Sequence, residues 1–89
     1  MIVRAKFKVT SITRSQATRA KKDGSGYEPC EGQEIKLSPV TSNSPENEQF
    51  FRTTPSGEIR MFTVNEDAWK QFLLGGEYIV EFQAVGQTF

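Results

Sequence analysis

Gly57-Glu58-Ile59-Arg60-Met61-Phe62-Thr63-Val64, Asn65-Glu66-Asp67-Ala68-Trp69-Lys70-Gln71-Phe72-Leu73-Leu74-Gly75-Gly76 and Glu77-Tyr78-Ile79-Val80-Glu81-Phe82-Gln83-Ala84 follow one another without a break, and between them they set the architecture. They read as strand, capped helix, strand. Asn65 stands where an N-cap belongs, Glu66 and Asp67 place negative charge in the first turn, and Gly75-Gly76 offers a left-handed stop. Val64 before the cap and Trp69 inside the helix have the spacing of a hydrophobic staple. Trp69, Phe72 and Leu73 share one helical face, which needs a sheet to cover it.

Towards the N-terminus, Val3, Ala5, Phe7 and Val9 alternate with Arg4, Lys6 and Lys8, the pattern of a half-buried strand. The phase breaks at Thr10-Ser11-Ile12, which predicts a bulge or the strand's end. Residues 13–32 are polar, with Gly and Pro and almost no apolar content, and are read as one long mobile loop. Loops of that length in compact domains tend to be functional or disordered. Gln33 to Val40 turns Ile35 and Leu37 inward and Glu34, Lys36 and Ser38 outward, a second strand that Pro39 confines to an edge or an end. Ser44, Pro45, Glu46 and Glu48 then signal the start of a short helix running through Phe50, Phe51 and Arg52. Thr54-Pro55-Ser56-Gly57 reads as a turn. The fold class expected is α+β: a small, mostly antiparallel four-stranded sheet or partly open barrel, with one or two short helices packed on it. A five-stranded oligonucleotide-binding barrel is the nearest alternative and needs an extra strand from residues 13–32.

With 89 residues the chain is read as a single domain, residues 1–89, whose core is mainly aromatic. Cys30 is the only cysteine, so no internal disulfide forms and a reducing, cytoplasmic setting is the expectation. No apolar run is long enough to span a bilayer, and Met1-Ile2-Val3-Arg4 does not open a signal peptide. The net charge of zero hides an asymmetry: residues 1–22 hold Arg4, Lys6, Lys8, Arg14, Arg19, Lys21 and Lys22 and no acid, and all 11 acids follow. Either the chain is an electrostatic dipole or the two parts interleave in the sheet and cancel.

Histidine is absent, which removes the commonest acid-base group and metal ligand and points away from an enzyme. Cys30, flanked by Glu28 and Glu31, is read as an inert thiol. Glu28, Glu31 and Glu34 lack the spacing of a calcium loop, so no metal or cofactor is expected. Gly24-Ser25-Gly26 neither follows a strand nor opens a helix, and reads as linker. The basic strand carries the best chemistry. Arg4, Lys6 and Lys8 project as a row that suits successive phosphates, with Arg60 adding charge and residues from Arg14 and Arg19 to Lys22 closing over it. The plainer alternative is a wet sheet face of cross-strand ion pairs with Glu34, Glu58 or Glu81. Phe62 and Ile79 are candidate stacking platforms, and Phe50-Phe51 a core residue beside a contact patch.

Lys36-Leu37-Ser38-Pro39-Val40, Ser44-Pro45-Glu46-Asn47-Glu48 with Phe50, Thr54-Pro55-Ser56-Gly57-Glu58-Ile59, and Phe72 with Gly76 ahead of Tyr78-Ile79-Val80-Glu81-Phe82 form a pattern over about two thirds of the chain. It resembles a group of small uncharacterised tailed-bacteriophage proteins. Only residues 13–32 depart from it, being longer here. The resemblance implies a phage-encoded protein of the infected bacterial cytoplasm or the virion, and brings no catalytic residue with it. The expected function is a non-catalytic binding protein that captures a phosphate-bearing ligand, such as a nucleotide immune signal sequestered between subunits of a homo-oligomer. A single-stranded nucleic-acid binder and a virion-structural or host-protein-binding module are the alternatives.

Overall fold

The computed structural model describes residues 3–41, 44–52 and 55–86. Four strands form one open antiparallel sheet: β1 (Val3–Ala20), β2 (Tyr27–Pro39), β3 (Ile59–Thr63) and β4 (Glu77–Phe82), in the spatial order β3-β2-β1-β4. Two short helices, α1 (Pro45–Phe51) and α2 (Glu66–Trp69), sit in the connections. This is the α+β sheet expected, in its open form. The barrel alternatives are not realised, because residues 13–32 lengthen two existing strands and add no fifth.

Alternation sets the core. Ala5, Phe7 and Val9 of β1 meet Ile35 and Leu37 of β2 on one face, all five buried. Ile59, Tyr78 and Val80 flank them on the outer strands, and Phe51, Trp69 and Phe72 cover them from the helical connections. Between Val9 and Ser11 the register with β2 slips, leaving Thr10 unpaired, so the bulge falls where the apolar phase broke. Beyond it Ile12 regains the core face opposite Ile35. Pro39 ends β2, which is a central strand and not an edge.

Residues 13–32 correct the sequence reading: they are not a loop but an antiparallel hairpin, paired from Thr13↔Glu34 to Ala20↔Tyr27. Only 21–26 turn. There Lys21 N–H bonds the Gly26 carbonyl at 2.8 Å, the Asp23 carboxylate accepts from Ser25 N–H at 2.9 Å, and Gly24 takes a left-handed φ of 77°. β4 leaves β1 at Lys8 and β3 leaves β2 at Gln33, so the hairpin projects as a two-stranded arm. The molecule is correspondingly long and flat, 50 × 37 × 17 Å. Its radius of gyration is 16.5 Å. A compact domain of this length has about 12 Å.

The two helices differ from expectation in opposite ways. α1 starts as read, with Ser44 capping Asn47 N–H and Pro45 in the first turn. Asn47 does more than continue the helix. Its carboxamide is 1% exposed, accepts from Lys6 N–H (2.6 Å), and donates to the carbonyls of Lys6 and Val40 (both 2.8 Å). Beyond Pro39 it stands in for a strand residue and completes the edge of β1. α2 begins at its Asn65 cap but is only four residues long. The Tyr78 hydroxyl accepts from Leu73 N–H (2.9 Å) and donates to the Gln71 carbonyl (2.8 Å), drawing both groups out of helical pairing. Leu73, expected in the core, is therefore exposed, as are Leu74 and Phe82. Gly75 and Gly76 bond both backbone groups of Val9 at 2.9 Å and start β4.

Candidate functional site

The opposite charges of the chain interleave. Pairing β1 with β4 and β2 puts the basic first strand beside strands that carry acids on the same face. Arg4 Nε reaches Glu81 at 2.7 Å, Arg19 reaches Glu28 at 3.1 Å, and Arg14 grips both oxygens of Glu31 at 3.2 and 3.1 Å. Arg60 lies 3.2 Å from Glu58 and 4.0 Å from Glu34, and Lys36 lies 3.5 Å from Glu58. Four of the six candidate ligand-binding residues, all four arginines, thus already face carboxylates. Glu28, Glu31 and Glu34, considered as a cation cluster, each sit on an arginine instead.

Lys6 and Lys8 form no ion pair among the described residues. Lys6 is half-buried and exerts a weak pull on Glu46, whose carboxyl is held below its usual range first by its own backbone N–H and then by the Ser44 hydroxyl. Lys8 is exposed, opposite Ser38 on one side and Glu77 on the other. The row of three free cations is therefore reduced to two. Arg60 is no neighbour of that row, since β2 separates β3 from β1. Arg14 and Arg19 cannot close over it as a lid either, being fixed in the paired arm.

Of the stacking platforms, Phe62 has a structural task. A Cβ on Gly32 would run into its ring, so Phe62 covers the backbone of the one strand glycine at the root of the arm. Half of it remains exposed, as does Ile79 on the same face. Phe50 and Phe51 divide as read, Phe51 against the core and Phe50 exposed, their rings edge to face at 4.7 Å. The Thr54-Pro55-Ser56-Gly57 turn lies partly outside the described residues.

What the structure does bring together is a cleft of about 400 Å³ between the arm and α2. Arg14, Arg19 and Glu31 line it from the arm, and Glu66, Trp69 and Lys70 from the helix. Its charges are held in pairs: Lys70 Nζ sits 2.8 Å from Glu66, one helical turn back. Arg14 and the Gln33 amide, the latter at 2.8 Å, hold the Glu31 carboxyl below its ordinary value, and Glu31 raises the Arg14 guanidinium in turn. These pairs are exposed, and exposed pairs contribute little net stability, so an incoming anion can exchange with a carboxylate at low cost. Arginine's planar fork accepts phosphate oxygens in the same two-pronged way. Trp69, half-buried, supplies an aromatic wall.

Sequence reasoning found Arg14 and Arg19 from the charge asymmetry but missed Lys70 and Trp69 as their companions, because it put the arm in a loop. A Glu66/Lys70 spacing of four was the legible signal. No family model, curated protein or solved structure matches the chain. Among the described residues no helix is long and apolar enough to cross a membrane, and no three acidic or cysteine side chains gather as a metal site.

Proposed function

We propose that the chain is a non-catalytic binding protein that captures a phosphate-bearing ligand in the cleft between its arm and α2. The observation that carries this reading is the convergence of two sequence-predicted cations, Arg14 and Arg19, with Lys70 and the Trp69 ring around one space. A nucleotide is the class of ligand that uses all of these at once, its phosphate exchanging with Glu31 on the Arg14 fork and its base lying against the indole. The likeness to small tailed-phage proteins suggests the setting, an infected bacterial cytoplasm in which sequestering a nucleotide immune signal would counter host defence.

Calorimetry with mono-, di- and cyclic nucleotides tests this. Heat is expected for at least one of them, lost in Arg14→Ala and kept in Arg4→Ala, whose partner Glu81 lies on the far edge of the sheet. Absence of heat across the panel, or heat that Arg14→Ala leaves intact, would remove the reading. Binding of single-stranded nucleic acid along β1 is less well supported, since Arg4 is paired and the Phe62 ring rests on Gly32.

A second reading, a virion-structural or host-protein-binding module, is favoured by a separate observation. Tyr27, Phe50, Phe62, Leu73, Leu74, Ile79, Phe82 and Val85 are all about half exposed or more, against five buried apolar residues in the core. Capture of a defined partner by the wild type, abolished in a Leu73→Ser/Leu74→Ser variant, would support it over the first.

A further inference from the structure

We infer that the outer edge of the arm is a self-association surface, on which β1 of one copy pairs antiparallel with β1 of a second copy. The inference does not depend on the ligand reading. The Lys21 to Gly26 bond fixes which way the backbone points near the turn. By the two-residue alternation of a strand, residues 13, 15, 17 and 19 then bond β2, and residues 12, 14, 16, 18 and 20 turn their N–H and C=O groups outward. β4 is not there to receive them, because its pairing with β1 ends at Lys8 and its Gly75-Gly76 lead-in ends at Val9.

The two edges of the arm are treated differently. On β2 the free edge carries Pro29, opposite Thr18, a pair whose backbone groups point away from each other, so the proline's missing donor lies on the open side. That edge is blunted. The β1 edge from Ile12 to Ala20 has no proline, bulge or lysine. Its two cations, Arg14 and Arg19, are neutralised within their own arm by Glu31 and Glu28.

The occupant these features fit is an identical arm. Between the Gly75 bond to Val9 and the Lys21 turn, the outward-facing groups run from Ile12 to Ala20, so a two-fold axis through their middle falls at Gln16. In that register Arg14 faces the second copy's Thr18, Arg19 faces its Thr13, and no like charges oppose. Five residue pairs give about ten hydrogen bonds in an antiparallel ladder. The arrangement is isologous and closes at two copies.

The test uses the full chain. Size-exclusion chromatography with light scattering is expected to give twice the 10.0 kDa chain mass at high concentration and 10.0 kDa on dilution. In the dimer the amides of residues 12, 14, 16, 18 and 20 should exchange at least tenfold more slowly than in the diluted protein. Gln16→Pro removes an outward donor and no bond to β2, and should give a monomer whose β3 and β4 amide resonances are unchanged. A mass of 10.0 kDa at several hundred micromolar, a dimer that survives Gln16→Pro, or even-numbered amides that stay unprotected in a wild-type dimer would each overturn the inference. The exchange measurement needs no variant, so it decides the matter even if Gln16→Pro fails to fold.

Discussion

The plate and the arm are built from the same two strands and obey different physics. From Val3 to Val9 and from Gln33 to Pro39 the strands alternate and bury Ala5, Phe7, Val9, Ile35 and Leu37, with strands on both sides at Phe7 and Lys8 of β1 and from Gln33 to Leu37 of β2. From Thr13 to Gly32 they have only each other, the run from Thr13 to Gln16 is exposed throughout, and cross-strand arginine-carboxylate pairs replace the core. Isolated two-stranded hairpins are marginal in water. The plate therefore supplies the stability, and the arm supplies accessible backbone and exchangeable charge, which is what a binding segment requires.

The contrast is most severely challenged where the plate's ladder is completed by a side chain. Asn47→Ala leaves the Lys6 N–H and the Lys6 and Val40 carbonyls without that partner, and should cost about 3 kcal/mol in chemical denaturation. Asn47→Asp should cost more, since it turns an amide donor aimed at two carbonyls into an acceptor. At the junction of the regions, Gly32→Val puts a β-carbon where the rim of the half-exposed Phe62 ring lies, so the ring must swing toward solvent, and should cost about 1 kcal/mol, read by the same denaturant midpoint. At the arm's tip Gly24→Ala puts a side chain at φ 77° and should cost about 1 kcal/mol at most, detected as faster exchange of arm amides with the plate unaffected.

The gentlest perturbation is acid. Glu31 titrates below its ordinary 4.5 in the folded protein because Arg14 and then Gln33 bond its carboxylate. A depressed carboxylate stabilises the fold above the unfolded value and ceases to do so as pH falls through the folded one. Lowering pH from 7 should leave the arm unchanged until about the ordinary carboxylate range and loosen it below. Chemical shifts of Ser15 and Ala17 against those of Ile35 and Leu37 would show the arm responding first.

The plate was legible in the sequence because burial writes a period. Val3 to Val9 and Ile35 with Leu37 alternate, and the bulge at Thr10 showed as a phase error. The arm was not, because a strand pair with both faces wet imposes no apolar alternation. Its turn left a trace in Asp23-Gly24, but the matching of Arg14 with Glu31 and Arg19 with Glu28 follows only from a register, and register comes from the plate. Asn47 looks like one polar residue in a helix start, and its buried role arises from β2 ending at Pro39. α2 is shorter than its pattern suggests because Tyr78, distant in that pattern, competes for its last backbone groups. At the site, charge asymmetry found the arginines, while their convergence on Trp69 and Lys70 required knowing that residues 13–32 pair into an arm that shares a cleft with α2.

Amide hydrogen exchange on dilute protein puts the division between plate and arm to the sharpest trial. Val9, Ile35 and Leu37 should exchange only through global unfolding, whereas Ser15, Ala17 and Arg19, though bonded to β2, should exchange at least a hundredfold faster through local opening of the hairpin. Equal protection of the two sets in the monomer would refute the division.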